Sequence, residues 1–101
     1  MPEADRRIYA AAYARANGMR AGFEYFRNFE RDAGDFAKMG GTRLSMPFLV
    51  LSGEKAGGTF LIEQVKLVAS DVKGQVVQGS GHWLMEEAPQ TVISAITDFI
   101  N

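Results

Sequence analysis

The sequence has 101 residues, of which 47% are hydrophobic and 23% are charged, and its formal net charge is −1. That length and composition are typical of a small globular protein with a modest core, and they exclude an intrinsically disordered chain. The near-zero net charge argues against nucleic acid and against an anionic membrane as the main partner, because the arginines of the first third alternate with acidic residues.

The residue counts exclude several kinds of site. The sequence contains no cysteine, so it has no disulfide, thiolate metal site or cysteine nucleophile. It contains one histidine and therefore cannot form a two-histidine zinc site, so we expect neither a metal nor another cofactor. No apolar run reaches the ~20 residues that a membrane-spanning helix needs, and no leader pattern is recognised. We therefore expect a cytoplasmic protein.

Residues 1–41 are predicted to be helical. Apolar side chains recur at helical spacing over residues 2–17, and a second helix is expected from Met19. The apolar stripe of this second helix consists of Met19, Phe23, Phe26 and Phe29. Residues 32–38 either continue as helix or form a loose turn before a pair of glycines.

The aromatic residues of the second helix permit two interpretations. An aromatic stripe at helical spacing is typical of core packing. Because Tyr25 and Phe26 lie on different faces of the helix, the wall of a substrate pocket is the alternative.

From Met46 onward the pattern predicts strand, helix, strand and helix. The first strand, residues 46–52, has four consecutive apolar residues and suits a parallel strand buried on both faces. A helix opens near Gly58, a second strand covers about residues 74–78, and the last helix begins at Pro89. The predicted buried face of that last helix is Val92, Ala95, Ile96, Phe99 and Ile100. A helix between two buried strands implies a right-handed parallel unit.

Two strands alone make a poor sheet. Both outer edges are left unpaired, and an unpaired edge invites pairing with another chain. We therefore expect a homo-oligomer, most simply a dimer.

The candidate functional residues follow the two predicted strands. Glu54 comes directly after the first strand, and His82 comes after a Gly-Ser-Gly turn at the end of the second. Functional groups collect at the carboxyl ends of the strands in open parallel sheets, and a histidine oriented by an acid can act as a general base. A partly buried structural histidine beside Trp83 explains the same residues, so both interpretations stay open.

Three sequence runs resemble a known family. FLVLSGE at residues 48–54 and GSGHWLMEEAPQTV at residues 79–92 resemble the C-terminal part of the α/β-hydrolase fold, in its epoxide hydrolase and haloalkane dehalogenase-like branch. GMRAGFEYFRNF at residues 18–29 is similar to the end of that family's helical cap domain. The resemblance implies an α/β class with a partial α/β-hydrolase fold: two parallel strands and flanking helices in residues 42–101, and a cap-derived helical segment in residues 1–41. It covers about the final third of a complete family member.

The resemblance also implies roles for individual residues. His82 matches the family's general base, which activates the water that hydrolyses a covalent ester, and Trp83 matches a position beside it. Glu54 falls close to the position of the triad acid in many members, whereas in others the acid comes from an earlier strand. In the cap, Phe26 occupies the position of a tyrosine that binds the epoxide oxygen, and Phe26 has no hydroxyl to donate. Tyr25 substitutes for that tyrosine only if its ring points toward the pocket.

The family's nucleophile has no counterpart in the sequence. No serine or aspartate stands in a Gly-x-nucleophile-x-Gly turn, and the turn that supplies the oxyanion hole has no match either. A base without these groups loses most of its catalytic advantage. The sequence therefore predicts a C-terminal hydrolase fragment that is inactive alone. It would act on a small-molecule ester, epoxide or carbon–halogen substrate only when an N-terminal part completes it.

Two other functions remain open at this point. The chain is alternatively a small self-associating or apolar-ligand-binding module, in which the aromatic helix lines a pocket or a dimer interface. A third hypothesis is an enzyme assembled across a dimer, in which Glu54 of one chain meets His82 of the other.

Overall fold

The computed structural model describes all 101 residues and contains six helices and two strands. Its internal contacts divide the chain into two compact units, Met1–Gly41 and Thr42–Asn101. None of the helices has both the length and the apolar character that crossing a bilayer requires. The derivation of the first unit from a cap domain stays a prediction.

The first unit consists of three helices: α1 (Glu3–Tyr13), α2 (Gly18–Arg27) and α3 (Phe29–Met39). Helix α1 ends four residues earlier than the sequence pattern predicts. The reason is Asn17, which adopts a left-handed backbone conformation (φ 64°) that asparagine tolerates better than most residues, and this residue separates α1 from α2.

The predicted stripe of the second helix is divided between two helices. Asn28 ends α2, and its side-chain Nδ2 donates a hydrogen bond of 2.7 Å to the carbonyl oxygen of Glu24. Phe29 therefore begins α3, although its ring stays 5.2 Å from that of Phe26. The helical alternative for residues 32–38 is correct, because they lie within α3.

The apolar side chains of the first unit remain exposed. No residue of its three helices is buried, and Phe23, Phe26 and Phe29 are 55%, 67% and 58% exposed. The core packing expected of the aromatic stripe is therefore not found within these 101 residues. Three short helices offer too little facing surface to cover an aromatic face.

The second unit contains β1 (Phe48–Gly53), α4 (Gly58–Val68), β2 (Val72–Val77), α5 (Leu84–Glu87) and α6 (Pro89–Ile100). The two strands pair in parallel, in a register that runs from Phe48 opposite Val72 to Gly53 opposite Val77. Helix α4 forms the connection that parallel strands require. The prediction of a two-stranded parallel α/β unit is confirmed.

The core of the second unit is small. Its buried apolar residues are Val50, Ala69, Val77 and Val92. Only Val92 of the predicted buried face of α6 is fully buried, whereas Ile96 and Ile100 are 42% and 74% exposed. Two strands cover only one part of that helix face, and this explains why the predicted face is wrong for its outer residues. For the same reason, β1 is not fully buried on both faces.

Candidate functional site

The histidine loop, residues 78–83, connects β2 to α5 and carries His82. Strand β1 ends at Gly53, and Glu54 follows it directly. Because the register places Gly53 opposite Val77, both connections leave the same edge of the sheet side by side. The structure therefore brings the two connections, which carry Glu54 and His82, to the carboxyl ends of neighbouring strands.

Three hydrogen bonds tie the connection after β1 to its neighbour, one at the end of β2 and two in the histidine loop. The backbone N–H of Glu54 donates to the Val77 carbonyl at 3.0 Å, and that of Lys55 donates to the Ser80 carbonyl at 2.9 Å. The Glu54 carboxylate in turn accepts the backbone N–H of Gly79 through Oε2 at 2.7 Å. Glu54 thus binds the loop backbone three residues before His82, and it forms no hydrogen bond with the imidazole.

A second carboxylate holds the other end of the histidine loop. Both carboxylate oxygens of Glu87 lie 3.1 Å from the backbone nitrogen of Gly81, and Oε2 also accepts the N–H of Trp83 at 3.0 Å. Glu87 therefore binds the two N–H groups on either side of His82. It is the residue that sequence reasoning missed. Its signal was an acidic residue in the first turn of a helix, from which a side chain can reach back to preceding N–H groups.

His82 and Trp83 are both exposed, and Trp83 is 66% exposed. Their rings meet edge to face, with centroids 4.9 Å apart and planes at 83°. The imidazole makes no hydrogen bond or ion pair within the chain. His82 therefore lies at the surface of this unit, and both interpretations of its role stay predictions.

The two predicted cap residues lie in the first unit, on α2. Phe26 lines an open groove of about 340 Å³ together with Tyr13, Met19, Gly22 and Phe23. Tyr25 does not line this groove and is 78% exposed. The structure therefore places Phe26, but not Tyr25, in a groove that an apolar molecule can enter.

The end of β1 touches the histidine loop without any side chain between them. A Cβ atom on Gly53 would lie 2.7 Å from the Ser80 carbonyl oxygen and would overlap that of Gly81. Such distances are shorter than real Cβ contacts, so a glycine is required at this position. The loop of His82 therefore rests directly on the backbone of β1.

Ser52 precedes this contact and is buried, with 3% of its surface exposed. Its hydroxyl has no hydrogen-bond partner in the chain, and it faces Gly57, where an added Cβ would lie 2.7 Å from the Ser52 Oγ. A buried polar group without a partner costs about 1–3 kcal/mol. We expect Ser52→Ala to raise the free energy of unfolding by about 1 kcal/mol, the lower end of that range.

Urea denaturation followed by Trp83 fluorescence measures this effect of Ser52→Ala. The matched control is Ser70→Ala, which removes a hydroxyl that does donate a hydrogen bond, to the Leu44 carbonyl at 3.2 Å. We expect the control to be neutral or slightly destabilising. A loss of stability in Ser52→Ala would contradict the assignment of an unpartnered hydroxyl.

Searches against known proteins place the chain beside epoxide hydrolases. No family model matches it. It is 29% identical over 87 residues to Epoxide hydrolase A of Mycobacterium tuberculosis (82% of this chain, 27% of that protein). It is 28% identical over 103 aligned positions to Epoxide hydrolase B of the same organism (97% of this chain, 29% of that protein). The crystal structure of wild-type Cfl2 from Burkholderia cenocepacia superposes on all of this chain and 35% of its own, with 26% identity and a TM-score of 0.92.

These likenesses agree with the resemblance drawn from the sequence runs. The chain spans less than a third of the length of the two curated relatives that it matches. Its homologues are epoxide hydrolases, and its two parallel strands with six helices form part of an α/β-hydrolase-like fold. The predictions of fold class and family resemblance are confirmed.

Proposed function

We propose that this chain, whose homologues are epoxide hydrolases, carries the general base of a hydrolase as His82. The nucleophile and the oxyanion hole would come from a part of the fold outside these 101 residues. The single observation that supports this most strongly is the exposed imidazole in the loop after β2, which forms no hydrogen bond within the chain. In this proposal the chain alone is inactive.

The proposed chemistry requires one proton transfer at His82. In the first half, a nucleophile supplied from outside the chain becomes esterified as it displaces a halide or an alcohol, or opens an epoxide to an alkoxide that takes a proton from solvent. In the second half, the imidazole removes a proton from a water molecule as the water oxygen attacks the ester carbonyl carbon. The C–O bond of the ester then breaks, the imidazolium gives its proton to the departing oxygen, and the nucleophile is restored. Trp83 restricts rotation of the imidazole through its edge-to-face contact at 4.9 Å.

The acid that orients the imidazole is proposed to come from outside the chain as well. The Glu54 carboxylate accepts the Gly79 N–H at 2.7 Å and is not directed at the ring. This arrangement also argues against a site in which Glu54 of one chain meets His82 of another, because the carboxylate would have to give up its hydrogen bond from the Gly79 N–H.

A chimera tests the proposed function. Residues 42–101 replace the matching C-terminal segment of Epoxide hydrolase B, so that the rest of that protein supplies the remainder of the site. We expect the 101-residue chain alone to show no turnover of epoxides or esters above its His82→Ala variant. We expect the chimera to hydrolyse an epoxide, with product formation followed by chromatography.

The control for the chimera is the same host truncated before its C-terminal segment, with nothing in its place. This truncated host should be inactive. Turnover by the 101-residue chain alone would contradict the proposed incompleteness of the site. A folded chimera without activity, as judged by circular dichroism, would contradict the proposed role of this segment.

The exposed aromatic surface of the first unit supports a second candidate function. Phe23 and Phe26 line the open groove and are more than half exposed, which suits a self-associating or apolar-ligand-binding module. The chimera experiment and sedimentation of the 101-residue chain together separate the two candidates. An inactive chimera, and a defined homodimer of the chain whose assembly is unchanged by His82→Ala, would favour the module.

A further inference from the structure

We infer that Glu54 and Glu87 are positioning residues that together hold the histidine loop and so fix the place of His82. The catalytic consequence of this inference rests on the proposed function of His82, whereas the loop geometry does not. Neither carboxylate touches the imidazole. Both act on it through the backbone on either side.

The contacts of the loop follow an alternating pattern. The backbone N–H groups of Gly79, Gly81 and Trp83 each donate to a carboxylate, at 2.7 to 3.1 Å. Hydrogen bonds to a charged acceptor are stronger than those between neutral groups. Glu54 from the connection after β1 and Glu87 from α5 therefore hold the loop from two different elements.

The loop needs such external support because its own residues constrain it weakly. Gly79 has a positive φ of 73°, and Gly81 is a second glycine one residue before His82. Glycine gives the backbone more conformational freedom than any other residue. The bond from the Lys55 N–H holds the loop at the Ser80 carbonyl. Without the Glu87 carboxylate, the N–H groups on either side of His82 would lose their partner, and this part of the loop would sample several conformations.

The two rings on the loop provide a direct measure of its geometry. Trp83 is the only tryptophan of the chain and His82 is the only histidine. A protonated imidazole in contact with an indole quenches its fluorescence, so the change in Trp83 emission between neutral and protonated His82 reports the contact of the two rings. His82→Gln removes this change and sets the baseline.

The experiment compares variants of the full 101-residue chain by this titration and by amide hydrogen exchange at Gly79, Gly81 and Trp83. We expect Glu87→Ala to speed exchange at Gly81 and Trp83 at least about tenfold and to reduce the fluorescence change by about half or more. Glu54→Ala should speed exchange mainly at Gly79. The matched control is Glu63→Ala, because Glu63 is an exposed acid of the same unit that pairs only with Lys66.

Conservative variants separate the hydrogen bonds from general loss of structure. Glu87→Gln keeps one acceptor oxygen at the same reach but loses the charge, so it should restore part of the protection and of the fluorescence change. Glu87→Asp keeps the charge but is one methylene shorter, so it should behave like alanine at these amides. Circular dichroism confirms the fold of each variant, and the Gln–Asp comparison decides the matter if Glu87→Ala unfolds.

Several outcomes would overturn the inference. Exchange rates and fluorescence changes in the Glu54 and Glu87 variants that match those of Glu63→Ala would do so. Equal behaviour of Glu87→Gln and Glu87→Asp would also do so. These measurements involve no turnover, so an inactive chimera contradicts the proposed function alone, and an unaltered loop contradicts the positioning role alone.

Discussion

Replacing His82 by alanine in the chimera is expected to lower kcat by about 10²–10⁴, the range that general acid–base catalysis contributes. The chain has no second histidine that could take over the proton transfer. The two acids that bind the histidine loop do not substitute, because Glu54 and Glu87 accept backbone N–H groups. Because the proposed base acts on the ester intermediate, the first half of the reaction should survive. A rapid-quench experiment should show one equivalent of covalent ester that does not turn over.

Two comparison variants make the His82 result specific. His82→Gln keeps a polar side chain of similar size but cannot act as a base, and it should be as slow as alanine. Lys73→Ala alters an exposed residue of β2 away from the histidine loop and should leave the rate unchanged. Turnover of His82→Ala at the rate of the parent chimera would refute His82 as the base.

Gly53→Ala is expected to lower the free energy of unfolding by about 2–4 kcal/mol. This range combines the cost of overpacking with the cost of losing neighbouring hydrogen bonds. The new methyl group would meet backbone atoms of Ser80 and Gly81, and backbone cannot move aside as a flexible side chain can. The loop would have to lift from β1, which weakens the bond from the Lys55 N–H to the Ser80 carbonyl at 2.9 Å. The measurement is the midpoint of urea denaturation followed by Trp83 fluorescence, which reports on this unit.

The matched control for Gly53→Ala is Gly34→Ala. Gly34 lies within α3, and a Cβ at this position meets no atom within 4 Å. Alanine favours a helix by about 1 kcal/mol over glycine, so the control should slightly raise helix content and leave the Trp83 transition unchanged. An unchanged midpoint for Gly53→Ala would show that the contact between β1 and the loop is looser than the structure describes.

The order of elements in residues 42–101 could be predicted because each signal was local. An unbroken apolar run marked β1, glycines marked the start of α4, and Pro89 marked the start of α6. The break at Asn28 was not predicted, because the apolar spacing continues across it and only the side-chain bond to Glu24 reveals the turn. The prediction of buried residues was wrong for α2 and for the outer part of α6. Periodicity identifies an apolar face but does not tell whether another element covers it.

The candidate site was predicted in its position but not in its connections. The carboxyl ends of neighbouring parallel strands meet at one edge, so the side-by-side placement of the two connections followed from the topology. Which atom the Glu54 carboxylate binds depends on the conformation of the loop, and this conformation depends on the positive φ of Gly79 and on Glu87. Those relations involve side-chain reach across a turn, and no periodic pattern encodes them.

The pairing of Gly53 with Val77 constrains how the length of this chain can change during divergence. A one-residue slip between the strands would displace Glu54 from Gly79 by about 3.3 Å and turn every side chain of one strand to the opposite face. Insertions and deletions are therefore tolerable in the crossover that contains α4, where extra residues leave the strand pairing intact. Within either strand, a single added residue would separate the Glu54 carboxylate from the loop that carries His82.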